Sequence, residues 1–387
     1  MKPVVVYFGH VPAEGAGSAI IVYRHLRRLA AEGWDIRIVA DWGQQPLHAT
    51  CRAHGWPVLE LSHRRPWWPP FDADQPWSRA VRAWLWAGEV RAWLGAARPV
   101  AAVTYLSAFS DTLSIAAAGF AQRCGVPLST LIHDDTRCFA PTPADGERAH
   151  ARRQWVLGRS HRAWFASPEL AACFTLDPRR AGILPPIPEG ANAAPDLPPG
   201  AGTPVRLVYA GNYWAAQIPA FATLAAAIHA GGGSFETVLK EDATHVAALR
   251  AAGVDWRAPF ARNTEALDYF RSHATALVVS YAQSSDAMPW TRTSFPSKLI
   301  EYCHLGRPIA IVAPADTAVA QWARARGYPD YFEPHDTAGL TRFTQKLADA
   351  DFRSARGALV RSFAAGEFSP IAIQGRFATE LRRQAQP

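Results

Sequence analysis

Thr293-Ser294-Phe295-Pro296-Ser297-Lys298-Leu299-Ile300-Glu301-Tyr302-Cys303-His304-Leu305-Gly306-Arg307-Pro308-Ile309-Ala310-Ile311-Val312 reads as a loop, a short helix and a buried strand. Leu299, Ile300 and Cys303 recur at helical spacing, Gly306 stands where a helix stops, and the apolar run after Pro308 has the length of a strand. Lys298 falls in the first turn, where the positive end of the helix dipole disfavours a cation. An anion at that turn resolves the conflict. Lys298 and backbone N–H groups would hold a phosphate, Ser294 or Ser297 would add a hydroxyl, and Glu301 would accept from sugar hydroxyls. The chain has four lysines (Lys2, Lys240, Lys298 and Lys346) among 40 basic residues, so lysine stands here where arginine is used elsewhere. The bland alternative makes Ser294 or Ser297 the cap of a surface helix and Glu301 an ordinary early-turn carboxylate.

The run from Phe295 to Ile309 resembles the donor-site helix of GT-B-fold glycosyltransferases, especially retaining enzymes similar to glycosyltransferase family 4. The resemblance implies that Glu301 binds a nucleotide ribose and that the preceding loop and helix start hold a diphosphate.

Composition sets the limits within which this reading must fit. At 387 residues two domains are expected, since single cores stop growing at roughly 250 residues. Hydrophobic residues at 49% and charged residues at 19% are ordinary for a globular protein, and no apolar run approaches the ~20 residues needed to cross a bilayer. Met1 to His10 is too short and too quickly polar for a secretory signal and reads as a first strand, which places the protein in the cytoplasm as an expectation. Five widely spaced cysteines without a Cys-x-x-Cys pair indicate buried thiols, with neither a disulfide framework nor a zinc site. The formal charge of +7 suits anionic partners, but lysine-rich tails and aromatic-basic nucleic-acid motifs are absent, so no nucleic acid is expected.

Taken in order, Val4–Phe8 is an apolar strand and Ser18–Glu32 a helix stopped by Gly33. The loop between them bears glycines and feeds a helix start, which allows close backbone approach to an anion. Asp41 ends the next strand, Ile36–Ala40, where a dinucleotide-binding fold would place a ribose-gripping acid. Gly-x-Gly-x-x-Gly is missing, and eight residues separate Phe8 from Gly17, which argues against that fold. In the GT-B family such a loop contacts acceptor or donor phosphates, and Gly17 and Ser18 match it. Val100–Leu106 and Leu128–Ile132 are further strands around a helix from Asp111 to Cys124, the alternation of a parallel sheet. The second strand ends in His133-Asp134-Asp135, at the sheet end where ligands of open α/β folds collect. A lone histidine there is either structural or a polar contact or proton handler. The resemblance places His133 and Asp134 against sugar and acceptor as the catalytic pair.

Residues 186–204 are a linker by composition, and a second α/β pattern opens with the strand Val205–Ala210, the turn Gly211-Asn212 and a helix from Ala215 to Ala230. Here the sequence departs from the family. Many members carry an Arg and a Lys after that turn to neutralise the diphosphate, and this chain has neither, so Lys240 at the end of the strand Phe235–Leu239 is the expected substitute. The family's paired glutamates lie eight residues apart, and the earlier position is Thr293. Contacts to the donor sugar would then fall to the loop Tyr281–Thr293, with Asp286 and Arg292. Helices at 319–326, 337–350, 352–364 and 370–383 complete the pattern.

These features predict an α/β GT-B architecture, two Rossmann-like domains with parallel sheets facing a cleft. The expected divisions are an N-terminal acceptor-side domain 1–185, a linker 186–204, a donor domain 205–368 and a helix 369–387 returning to the first domain. The implied reaction moves a sugar from a nucleotide-diphospho-sugar to a glycan or lipid-linked acceptor, with retention, no cofactor and no metal. A nucleotide-sugar 2-epimerase and a catalytically inactive binding subunit are the alternatives. Trp67 and Trp68, in an Arg-rich stretch followed by Trp77, Trp84, Trp86 and Trp93, suggest either peripheral contact with a membrane or rings that pack in the N-terminal core or line an acceptor groove. The seven-residue spacings of Trp77 with Trp84 and Trp86 with Trp93 predict a helix that buries one pair and presents the other.

Overall fold

The structure, a computed structural model, describes residues 2–14, 17–41, 48–62, 71–106, 111–190, 204–240 and 242–385. Trp67, Trp68 and most of the linker lie outside the described residues. The chain forms two compact units, residues 1–185 together with 373–387, and residues 186–372.

In the first unit strands alternate with helices: β1 (Val4–Phe8), α1 (Gly17–Ala31), β2 (Asp35–Ala40), α2 (Ala49–Ala53), β3 (Val58–Glu60), α3 (Pro76–Leu94), β4 (Pro99–Leu106), α4 (Thr112–Cys124), β5 (Leu128–Ile132), α5 (Pro143–Arg159), β6 (Arg162–Phe165), α6 (Pro168–Ala171) and β7 (Ala181–Ile183). The strands form one parallel sheet in the order β3-β2-β1-β4-β5-β6-β7. Helical crossovers cover both faces of such a sheet, which is why β1 and β5 are apolar or small at every position and buried throughout. The order reverses between β1 and β4, and the carboxyl ends of strands at such a reversal are where ligands of open α/β sheets collect. Helix α4 lies so close on α3 that a Cβ at Gly119 would stand 2.5 Å from the Ala83 carbonyl oxygen, a contact only glycine permits.

The second unit runs β8 (Val205–Ala210), α7 (Ile218–Ala230), β9 (Gly233–Val238), α8 (Ala243–Ala251), β10 (Asp255–Arg257), α9 (Asn263–His273), β11 (Ala276–Ser280), α10 (Ser297–Cys303), β12 (Ile309–Val312), α11 (Ala318–Ala325), β13 (Tyr331–Phe332), α12 (Thr337–Lys346) and α13 (Ala350–Ala365). Its parallel sheet is ordered β10-β9-β8-β11-β12-β13 and reverses between β8 and β11. Alternate residues serve opposite faces: Val208, Leu277, Val279, Ile309 and Ile311 join one core, and Leu207, Tyr209, Ala276, Val278 and Ala310 the other.

The last helix, α14 (Pro370–Ala385), packs Ile373, Phe377, Ala378 and Leu381 away from water, and Arg376 donates to the Ile183 carbonyl at the end of β7. Arg382 pairs with Glu32 beyond α1.

Three details differ from expectation. The helix expected from Ala215 opens as a 3-10 turn, with α7 proper starting at Ile218 beside Pro219, whose missing N–H suits a first turn. The helix expected to reach residue 350 stops at Lys346, because Asp349 caps α13 by accepting from the Asp351 N–H at 2.8 Å. All five cysteines are free, but only Cys51 and Cys303 are buried; the other three are partly exposed. Among the described residues no helix is long and apolar enough to cross a membrane.

Candidate active site

In the second unit three of the predicted residues, Gly211, Asn212 and Lys298, meet past the carboxyl end of β8. The turn after β8 needs glycine, since Gly211 has φ of +113°. Lys298, on α10, reaches that turn from 89 residues away and donates to the Tyr209 hydroxyl at 2.6 Å. Its ammonium lies 3.9 Å from the centre of the same ring and 3.6 Å from where a Gly211 Cβ would stand. Tyr209 in turn donates to the Asn212 carbonyl at 3.0 Å, so Gly211, Asn212 and Lys298 form one group.

Two further contacts fix this group to the sheet. Tyr302, buried on α10, accepts from the Ala210 N–H at 3.1 Å and ties the helix to the end of β8. Burial raises its phenol well above the usual range, so it stays protonated. Gln217 donates to the Ser280 carbonyl at 2.8 Å and to the Tyr209 hydroxyl at 3.3 Å, joining the ends of β8 and β11.

The surrounding loop is less uniform. Neither serine caps α10: Pro296 occupies the cap position and no side chain bonds there. Ser294 donates its backbone N–H to the Trp290 carbonyl at 2.8 Å, whereas Ser297 begins the helix in an exposed position. Glu301 is half-buried one turn past Ser297. Arg292 is bound into ion pairs with Asp286 and, at 2.9 Å, Asp316. Lys240 is exposed just beyond β9, the neighbour of β8. Trp214, about half exposed, and Trp290 meet with ring centres 4.4 Å apart.

A second group lies in the first unit, past β1, β4 and β5. His133 is buried, and its ring meets the edge of Tyr105, near the end of β4, at 5.2 Å. Tyr105 also faces His10, the second residue after β1, at 5.1 Å, and its hydroxyl bonds the Ser18 side chain. Ser18 and His133 are therefore joined through Tyr105, with Gly17 beside them at φ of +50°. Burial, reinforced by His25 and His10, pushes the His133 pKa down to about 3, so its imidazole is neutral at ordinary pH. His10 is also lowered by burial, and its Nε2 has no hydrogen-bond partner.

The two carboxylates after His133 have separate fates. Asp135 is buried, caps the following turn and holds Arg137 at 2.8 Å, which keeps it ionised. Asp134 stays half-buried, its carbonyl 3.5 Å from an Arg153 N–H. Arg153 is itself almost fully buried on α5 and pairs with Asp111 at 3.4 Å. His10, Tyr105 and Arg153 were not anticipated from sequence. The first two stand at strand carboxyl ends and could have been found by the rule that singled out His133, whereas Arg153 carries no local signal. Among the described residues no group of three or more His, Cys, Asp or Glu could hold a metal ion.

The fold these units define is GT-B, two Rossmann-like parallel-sheet units of seven and six strands. No protein-family model matches the chain, and no curated protein matches it. Solved structures do. A glycosyltransferase from Rickettsia africae matches with a TM-score of 0.71 at 8% identity, over 100% of this chain and 99% of that one. Anabaena HepE in complex with UDP matches with a TM-score of 0.70 at 11% identity, over 99% of this chain and 100% of that one. The lipopolysaccharide outer core galactosyltransferase WaaB matches with a TM-score of 0.63 at 12% identity, over 98% and 99%.

Proposed function

We propose that the protein transfers a sugar from a nucleoside-diphosphate sugar to a hydroxyl acceptor, a glycan or lipid-linked saccharide. The observation that carries this reading is the placement of Lys298 over the Gly211 turn, where β8 and β11 diverge. A diphosphate leaving group gains charge as the glycosidic bond breaks, and a fixed cation beside an unobstructed backbone turn stabilises that charge. Lys298 takes this role without a metal, with the Ser294 and Ser297 hydroxyls and Lys240 as further donors toward the phosphates. Glu301 accepts from the ribose hydroxyls. Retention at the anomeric carbon follows the family resemblance of the α10 segment.

In the first unit His133 and Asp134 face sugar and acceptor. A neutral, buried imidazole is suited to orient a hydroxyl by hydrogen bonding rather than to shuttle protons. Thr293 in place of a glutamate, and the lack of an Arg-Lys pair after Gly211, keep an inactive binding subunit as the competing reading.

A thermal-shift panel of UDP, GDP, ADP and CMP tests the proposal. The HepE complexes with UDP and with UDP-glucose make UDP the first to try. A nucleotide at ~100 times its dissociation constant adds about 2.7 kcal/mol to stability. One responder whose sugar conjugate is consumed with acceptor glycosylation supports transfer. Binding without turnover supports the inactive subunit, sugar-epimerised product supports the epimerase, and no shift with any nucleotide removes the donor site.

A further inference from the structure

Helix α3 carries two faces of different purpose. Its inner face buries Ser78, Arg79, Arg82, Ala83, Trp86, Ala87, Val90 and Leu94, and Gly119 lets α4 seat directly on it. The outer face presents Trp77, Val81 and Trp84, with 60%, 40% and 57% of their surfaces exposed, at spacings of four and three residues. That spacing aligns them on one ridge. Exposing two tryptophans and a valine in a line is unfavourable unless something apolar covers them.

The exposed charges beside the ridge are basic. One turn past Trp84 lies Gly88, and the Arg123 guanidinium from α4 lies 3.0 Å from where a Gly88 Cβ would stand. Arg123 donates to the Trp84 carbonyl at 2.9 Å, and its guanidinium carbon stands 4.4 Å from the centre of the Trp84 ring. Arg91, a further turn on, is exposed. No exposed residue of α3 is acidic: its one carboxylate, Glu89, accepts from the Ser62 hydroxyl at 2.6 Å. Asp74, before the helix, is engaged by Arg148 and Arg152.

We propose that this ridge docks the protein on an anionic phospholipid surface. Indole rings favour the bilayer interface, and exposed arginines beside them attract anionic headgroups. The ridge offers roughly 300 to 400 Å² of apolar surface. That is well short of the about 800 Å² per partner of a stable protein interface. A planar, deformable partner fits it better than a second copy of the chain. The docking does not depend on the reaction proposed above.

Sedimentation of the full chain with phosphatidylglycerol vesicles, phosphatidylcholine vesicles or neither tests this. The protein should pellet with the anionic vesicles at low salt and be released as salt rises, with little binding to the neutral ones. Replacing Trp77 and Trp84 together by Ser should abolish pelleting without lowering the melting temperature, since both rings are exposed. Arg91→Ala and Arg123→Ala should each weaken binding about fivefold. Parent protein left in the supernatant with anionic vesicles, or pelleting that survives the double substitution, overturns the proposal. A concentration-dependent dimer abolished by the same substitution, with no vesicle binding, assigns the ridge to a second copy instead.

Discussion

His25 Nδ1 lies 2.8 Å from Gln374 Oε1, joining residues 349 positions apart. An amide oxygen only accepts, so Nδ1 carries the proton, and His25 Nε2 is buried without a partner. A charged ring would have to be desolvated there. Burial accordingly lowers the His25 pKa to about 4.

This makes the first unit sensitive to mild acid. An unfolded histidine titrates near 6.5. Between that value and about 4 for His25, or about 3 for His133, the unfolded chain binds more protons than the folded one. The stability is present above pH ~6.5 and is lost as pH falls, by about 1.4 kcal/mol per pH unit for each histidine. In the second unit Asp330 is raised to about 6 by burial and gives the opposite slope between about 4 and 6. Thermal unfolding followed from pH 7.5 to 5 should show the net loss, and His25→Gln should shed one proton's worth of the slope. A pH-independent midpoint in the parent would contradict the buried neutral state.

Lys298→Ala should weaken binding of the responding nucleotide by roughly 1.5 to 3 kcal/mol, about 10- to 150-fold. Tyr209 retains its bonds to Asn212 and Gln217, so the unliganded melting temperature should hardly move. Calorimetric titration that returns the parent affinity would place the diphosphate elsewhere.

Gly211→Ala probes the same turn from the backbone. An alanine held at φ of +113° costs roughly 1 to 3 kcal/mol of stability, and its methyl would stand 3.6 Å from the Lys298 ammonium. Both the melting temperature and the nucleotide affinity should fall. Loss of the first without the second would separate the turn from the ligand.

His133→Ala should reduce turnover by about 100-fold or more while leaving nucleotide affinity near that of the parent. Because the parent imidazole titrates near 3, the rate profile between pH 5 and 8 should show no limb from this residue. Steady-state kinetics beside nucleotide titration separate this role from a purely structural one, which would lower both together or neither.

The regular elements were legible because parallel strands buried on both faces appear as continuous apolar runs; Leu128–Ile132 and Val205–Ala210 were bounded to the residue. Lys298 was legible for a different reason, as a lysine in an arginine-rich chain at the wrong end of a helix. Its partner was not. Tyr209 looks like any aromatic of a buried strand, and only the packing of α10 against β8 brings the two side chains together. Pro296 in place of a serine cap was likewise hidden, since Ser294 and Ser297 both carry capping chemistry. The tryptophans of α3 show how far spacing goes. Seven-residue intervals predicted one buried and one presented pair without saying which; Trp86 is fully buried and Trp93 half-buried, while Trp77 and Trp84 face out. The choice was made by α4, whose Gly119 admits Ala83 and the side of α3 that carries it.

The return of α14 to the first unit also sets a timetable for synthesis. Residues 186–372 are contiguous and can complete their packing as soon as they leave the ribosome. The unit that begins at the N-terminus must wait, with the surfaces that receive Ile373, Phe377 and Leu381 uncovered, until the segment that carries them has also emerged. A nascent chain therefore finishes its second half first, and the exposed face of the waiting half is where a chaperone would be expected to bind.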